Sequence, residues 1–249
     1  MTVTQTKTES AAPDERVAKR SPFQKLLGRP EVGALVGAIV LFIFFALVSP
    51  TFTQPGALAT ILYGSSTIGI MAVGVSLLMI GGEFDLSTGV AVITSALTAS
   101  LFSWYFTTNV WVGVGLALVV SLSVGFINGW ILIKTKLPSF IVTLATFLML
   151  TGLNLGLTRL IGGSVSSPSI SNMEGFASAR AVFASSVSIG SVDIKITVFY
   201  WFALVAVATW VLMRTRVGNW IFAVGGDANA ARAVGVPVKA TKIGLFMAV

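Results

Sequence analysis

The placement of charge constrains this chain more than any other feature. No Asp, Glu, Lys or Arg lies between Glu31 and Glu83, and none lies between Asp85 and Lys134. A helix needs about 20 consecutive apolar residues to cross the hydrocarbon core of a bilayer, so each gap has room for two crossings. Charged residues make up 10% of the chain and hydrophobic residues 55%, whereas a soluble domain carries about 25% charge. These facts exclude a soluble enzyme and imply an integral, polytopic membrane protein. Barrel strands would be about ten residues long and would alternate in polarity. The runs here are longer and continuous, so the expected fold is all-α, a polytopic transmembrane helical bundle.

Six complete spans are expected, near Val32–Ser49, Ala57–Ile80, Leu86–Phe106, Val110–Ile133, Leu137–Ile161 and Ile194–Met213. A seventh begins near Thr241 and meets the last residue, Val249, so the chain is expected to be a C-terminally incomplete piece. Residues 1–31 are polar and of mixed charge and suit a flexible cytoplasmic tail ahead of a permease-like domain over 32–249. Residues 162–192 hold ten serines and suit a water-exposed loop, with a short amphipathic helix around Phe176–Ala184.

With the N-terminus inside, thirteen of the sixteen Lys and Arg fall at or beside inside segments; only Arg159, Arg180 and Lys195 fall outside. This bias follows the positive-inside rule and places residues 81–85, Lys134–Lys136 and 214–240 on the cytoplasmic side. It also accounts for the net charge of +7 without nucleic acid.

The chain has no Cys and no His. That removes disulfides, thiol nucleophiles, zinc-finger and haem ligation by those residues, and Ser-His-Asp catalysis. No Gly-Lys pair occurs, so the chain has no phosphate-binding P-loop of its own. The expectation is a protein that is not an enzyme and has no metal site. Ionisable groups deep in the spans, which a proton relay would need, are missing.

Three G-x-x-x-G pairs, Gly33/Gly37, Gly125/Gly129 and Gly152/Gly156, would let helix backbones approach closely. Asn128 and Asn154 stand within spans, with Thr143, Thr146 and Thr151 nearby. An amide in hydrocarbon bonds to a neighbouring helix or lines a wet path, and both readings stand. Glu83, Asp85 and Ser87 lie in a very short connection that is either a loop at the membrane edge or a helix break. Asp85 is placed to cap the following helix.

The most informative inside segment is 214–240. Asp227 is a good N-cap, Ala228 to Val234 makes about two helical turns, Gly235 suits a left-handed cap, and Pro237 prevents continuation. A short helix with its own start and stop signals, projecting on the cytoplasmic side, suits docking into a groove on another protein.

Three stretches resemble the permease subunits of bacterial sugar-importing ABC transporters of the ribose/xylose type. They are Gly82–Gly89 (GEFDLSTG), Gly125–Leu153 with Asn128-Gly129 and Pro138–Thr146 (PSFIVTLAT), and Arg216–Val238. The resemblance implies two permeases forming a channel, as two copies or with a paralogue, in a bacterial inner membrane. Separate ATPase subunits would bind ATP and Mg, and an extracytoplasmic binding protein would deliver the sugar. It further implies that Gly225, Gly226, Asp227, Ala230, Ala231, Arg232 and Gly235 form the helix that couples to the ATPase. Glu83, Asp85, Ser87, Asn128, Thr143 and Asn154 are the candidates for the translocation path or helix break. Two positions depart from the family: Asn229 stands where an acidic residue is common, and Ala228 where proline is common.

Overall fold

A computed structural model describes residue 28 and residues 30–106, 109–190 and 192–249. The expected tail, 1–31, lies outside the described residues except for Gly28 and the first backbone positions of the first helix. The chain divides into two compact units, Met1–Gln54 and Pro55–Val249.

The first unit contains α1 (Pro30–Val48). Its rings cluster at its end: Phe52 packs on Phe42 and Phe45, with ring centroids 5.3 and 5.6 Å apart. Within α1, the apolar stretch Val32–Val48 sits at the short limit of a membrane crossing.

The second unit runs α2 (Pro55–Ile80), α3 (Thr88–Tyr105), α4 (Val110–Thr135), α5 (Ser139–Gly162), α6 (Phe176–Phe183), β1 (Ser186–Ile189), β2 (Val192–Lys195), α7 (Ile196–Arg214), α8 (Arg216–Gly226), α9 (Ala228–Ala233) and α10 (Val238–Ala248). The five helices α2, α3, α4, α5 and α7 are each long and apolar enough to span a bilayer. At about 1.5 Å per residue, the 26 residues of α2 and of α4 reach some 39 Å. Their outward faces remain apolar: Ile68, Ile93, Leu118, Leu148, Phe202 and Trp210 are all more than half exposed. Such a surface suits lipid or another membrane helix rather than water. The helical membrane bundle expected from the sequence is therefore what the chain forms.

Helix ends follow local chemistry. Pro55 begins α2, where its missing N–H costs nothing. Asn109 caps α4 by accepting a bond from the Trp111 N–H, 3.0 Å. Lys136 closes α4 in the left-handed region (φ 57°), its N–H donating to the Leu132 carbonyl.

Four expectations are corrected. The serine-rich segment contains the short helix α6 where expected, but also a hairpin: β1 pairs antiparallel with β2, Ser186 opposite Lys195 and Ile189 opposite Val192. The alternation Val187-Ser188-Ile189, then Gly190-Ser191, then Val192-Asp193-Ile194 carries this signal in a chain otherwise dominated by helical runs. As a result α7 starts at Ile196 rather than Ile194, because residues up to Lys195 are committed to strand pairing. Segment 214–240 holds two helices where one was expected. The unforeseen α8 begins at a Thr215 cap, whose hydroxyl accepts from the Gly218 N–H. Finally, the last helix starts at Val238 rather than Thr241, with Pro237 at the N-cap position directly before it.

The main buried cluster, Leu78, Leu132, Val142, Ile221, Leu245 and Phe246, joins α2, α4, α5, α8 and α10. It lies at the end of the bundle that carries Lys134, Lys136, Arg214 and Arg216, called here the basic end. A second cluster, Val224, Ala231 and Val238, fastens α8, α9 and α10 together.

Candidate functional site

Between α2 and α3 the helix is interrupted over Gly81–Ser87. The interruption is not a solvated loop. Asp85 is 8% exposed and Ser87 1%. Backbone groups freed by such a break need partners when water is excluded, and α5 supplies them. Ser139 Oγ accepts from the Phe84 N–H and Thr143 Oγ1 from the Leu86 N–H, each at 3.1 Å. Both acceptors lie in the first two turns of α5, where the sequence Pro138-Ser139-Phe140-Ile141-Val142-Thr143 puts two hydroxyls on one face at i, i+4.

A chain of side-chain hydrogen bonds crosses the bundle from the break. Asp85 Oδ1 accepts from both the N–H and the hydroxyl of Ser87, each at 2.6 Å. Ser87 Oγ accepts from Asn128 Nδ2 at 3.0 Å, and Asn128 Oδ1 accepts from Thr146 Oγ1 at 2.6 Å. Asn128 and Thr143 are fully buried. The seam therefore links the break, α4 and α5 with both ends of the amide satisfied. The helix N-cap is Ser87 rather than Asp85. Asp85 acts two residues upstream, its carboxylate bonded to the Ser87 N–H in an Asx turn.

The candidate path residues thus separate into three places. Asp85, Ser87 and Asn128 meet in the seam, and Thr143 holds the Leu86 N–H of the break. Glu83 faces away from it and forms an ion pair with Lys242 of α10. Asn154 lies farther along α5 and donates to Thr94 Oγ1 of α3 at 3.0 Å. Sequence reasoning missed Ser139, Thr94 and Lys242 as partners. Hydroxyls four residues apart after Pro138 were the available signal for Ser139; nothing local signals Lys242.

The candidate coupling residues form a foot beneath the break. Asp227 caps α9: its Oδ1 accepts from the Asn229 N–H at 2.7 Å and the Ala230 N–H at 3.1 Å. These bonds, that of Ala230 foremost, hold the Asp227 carboxyl below its ordinary value. The C-terminus closes with two crossed bonds, Val236 N–H to the Ala231 carbonyl at 3.0 Å and Gly235 N–H to the Arg232 carbonyl at 3.1 Å. Gly235 takes the required positive φ of +85°. Ala231 is buried against Val224 and Val238, while Asn229, Ala230, Arg232 and Gly235 are exposed. Arg232 donates to Asn229 Oδ1 at 3.2 Å. Val234, at the tip, is 80% exposed.

Foot and break touch directly. A Cβ placed on Gly225 would lie 1.8 Å from the Ile80 carbonyl oxygen, so only glycine permits this approach of α8 to the end of α2. Gly82 sits against the Gly225 backbone from the other side. Gly226 adjoins the Asp227 cap and has open space around it. Two routes therefore run from the foot to the break: backbone contact at Gly225, and the Lys242–Glu83 ion pair.

Residues 57–249 match the family described as branched-chain amino acid transport system / permease component. The chain is also similar to the ribose import permease protein RbsC of Escherichia coli (strain K12), with 30% identity over 215 residues, 86% of this chain and 63% of that protein. It is 33% identical over 222 residues to the galactose/methyl galactoside import permease protein MglC of the same strain, covering 84% of this chain and 63% of that protein. It is 27% identical over 226 residues to the autoinducer 2 import system permease protein LsrC of Enterobacter sp. (strain 638), covering 90% of this chain and 61% of that protein. The chain thus spans less than two thirds of the length of these relatives. No solved structure matches it. By the match over 57–249, the chain belongs to the family of branched-chain amino acid transport system / permease components.

Proposed function

We propose that this chain is the membrane-spanning permease part of an ATP-binding-cassette importer for a sugar. A separate ATPase subunit, holding ATP and Mg, drives it, and an extracytoplasmic binding protein feeds it. The observation that carries the reading is the foot: α9, capped at both ends, seated by Ala231 and otherwise presented, follows α8, whose Gly225 is pressed onto the end of α2 at the break. A connector between helices needs no such construction; a lever moved by a partner does. The distribution of Lys and Arg supports a cytoplasmic foot and a cytoplasmic N-terminus, and the bacterial relatives support an inner-membrane setting. The tail over 1–31 and the permease domain over 32–249 are proposed on the same basis.

In this mechanism the ATPase groove grips the exposed face of α9 and shifts the foot on closing. Gly225 transmits the shift to Ile80 and Gly82, and Lys242 transmits it to Glu83. The break moves as a hinge, and the seam from Asp85 through Ser87 and Asn128 to Thr146 carries the displacement to α4 and α5. Asn154 and Thr94 offer hydroxyl and amide groups farther along the bundle, toward the other face. A second permease, as a copy or a paralogue, completes the path.

The sugar assignment is supported by the similarity to ribose and galactose import permeases. The family's own description favours a second reading, a branched-chain amino acid; another polar solute such as a nucleoside is a further alternative. The test is purification of the full-length protein from its host in mild detergent, followed by identification of its companions and by radiolabelled uptake of ribose, galactose and leucine. A stoichiometric P-loop ATPase, with uptake lost on its deletion and retained under an ionophore, is expected. Uptake abolished by the ionophore and indifferent to any ATPase would replace this reading with an ion-driven secondary transporter. Uptake of leucine alone would move the substrate to amino acids.

A further inference from the structure

A cavity of about 730 Å³ opens at the basic end, between the α4–α5 turn, α9 and the start of α10. Four cations line it, Lys136, Arg232, Lys239 and Lys242, against one acid, Glu83. Lys242 is neutralised by Glu83, which leaves Lys136, Arg232 and Lys239 as uncompensated charge. Among the described residues no other acid lines the cavity. The helix α10 opens beside Lys239 without a side-chain cap, so its first N–H groups add positive potential. Apart from the Asn229 amide the remaining wall is apolar, with Leu132, Ile133 and Leu137 on the side of the spans. Leu137, 44% exposed, lies where the α4 span ends and α5 begins.

We propose that this cavity binds the headgroup phosphate of an anionic phospholipid. The ligand is anionic, since three cations with no acid facing them attract negative charge, and the cavity is large enough for a headgroup. It must also satisfy an apolar wall at the level where the spans meet the interface. A lipid does both: its phosphate meets Lys136, Arg232 and Lys239, and its glycerol and upper chains cover Leu132 and Leu137. Basic pockets between spans at the cytoplasmic surface are suited to such headgroups. Free phosphate would satisfy the cations and leave the apolar wall uncovered. Because the cavity is shared by the α4–α5 turn and the foot, a bound headgroup fastens the foot to the spans. This site is independent of the solute that the protein carries.

The full-length protein, purified in mild detergent, is titrated separately with phosphatidylglycerol, phosphatidylethanolamine and inorganic phosphate, and adducts are counted by native mass spectrometry. Phosphatidylglycerol is expected to be retained, phosphatidylethanolamine is not, and excess phosphate is expected to displace little of the lipid. The double variant Lys136→Gln/Lys239→Gln is expected to weaken phosphatidylglycerol binding by about tenfold or more. The charge-preserving Lys136→Arg/Lys239→Arg is expected to restore it, which separates lost charge from a folding defect. Equal retention of both lipids, unchanged binding by the Gln variant, or displacement by phosphate alone would overturn the proposal. A Gln variant that keeps its lipid but loses a co-purifying protein would overturn it as well, in favour of an acidic protein partner.

Discussion

The Gly125/Gly129 pair on α4 and the Gly152/Gly156 pair on α5 have the same spacing on neighbouring helices, and the fold treats them oppositely. A Cβ on Gly125 would lie 2.3 Å from the Phe246 carbonyl oxygen, and one on Gly129 would lie 2.9 Å from the Ile243 Cα. The backbone of α10 is seated in that notch. A Cβ on Gly152 or Gly156 meets nothing within 4 Å, and the same is true of Gly33 and Gly37 in the first unit. A notch of small residues permits a close approach without specifying it. What fills the α4 notch is the short α10, whose own placement is set by the buried Leu245 and Phe246 and by the Lys242–Glu83 pair.

The largest effect is expected where the notch is filled. Gly125→Val forces α10 off α4 or distorts both, and overpacking of this kind costs about 3 kcal/mol. Thermal unfolding of the detergent-purified protein reads the loss as a lower melting temperature. A melting temperature equal to that of the parent would show that α10 is not seated there.

A smaller effect is expected in the seam. Asn128→Leu removes the group that bonds Ser87 and Thr146, while Ser87 keeps its bond to Asp85 and Thr146 its bond to the Val142 carbonyl, so the lost bonds should cost about 1 kcal/mol. Because Ser87 also bonds Asp85, a double-mutant cycle with Ser87→Ala should give a clearly non-additive result. Additive losses would mean that the two side chains act independently and would break the proposed link between the break and α4.

The smallest effect is expected at the open notch. Gly152→Ala fills empty space and adds helix propensity, so stability should change by no more than about 1 kcal/mol, in the favourable direction. A loss comparable to that of Gly125→Val would show that the α5 notch is occupied by another helix in the assembled protein.

The same contrast explains how much of the site was legible beforehand. Asp227, Gly235 and Pro237 announce a capped helix because capping is local: the carboxylate reaches an N–H two or three residues away, and the positive φ belongs to a single residue. The candidate residues Asp85, Ser87, Asn128 and Thr143 stood out because polar groups within apolar runs must find partners. Which partners they found was not legible. Asn154 bonds Thr94 and stays apart from the seam, though its sequence context resembles that of Asn128. The helix α8 escaped notice because its buried face, Gly218, Ile221 and Val224, lies within a short segment rich in glycine. The hairpin escaped because two four-residue strands are faint beside spans of some twenty residues.

By itself the sequence determined that this chain lives in a bilayer, since long uncharged runs leave a hydrogen-bonded helix as the stable backbone there. It also determined the caps of α9 and the basic end, because caps and charge placement act within a few residues. Only the tertiary structure decided that Glu83 pairs with Lys242, 159 positions away, that Asn128 bridges the break to α5, and that one glycine notch is filled while another stays open. Those contacts depend on which helices come to rest side by side, and that is settled by the packing of whole faces, which no short stretch of residues encodes.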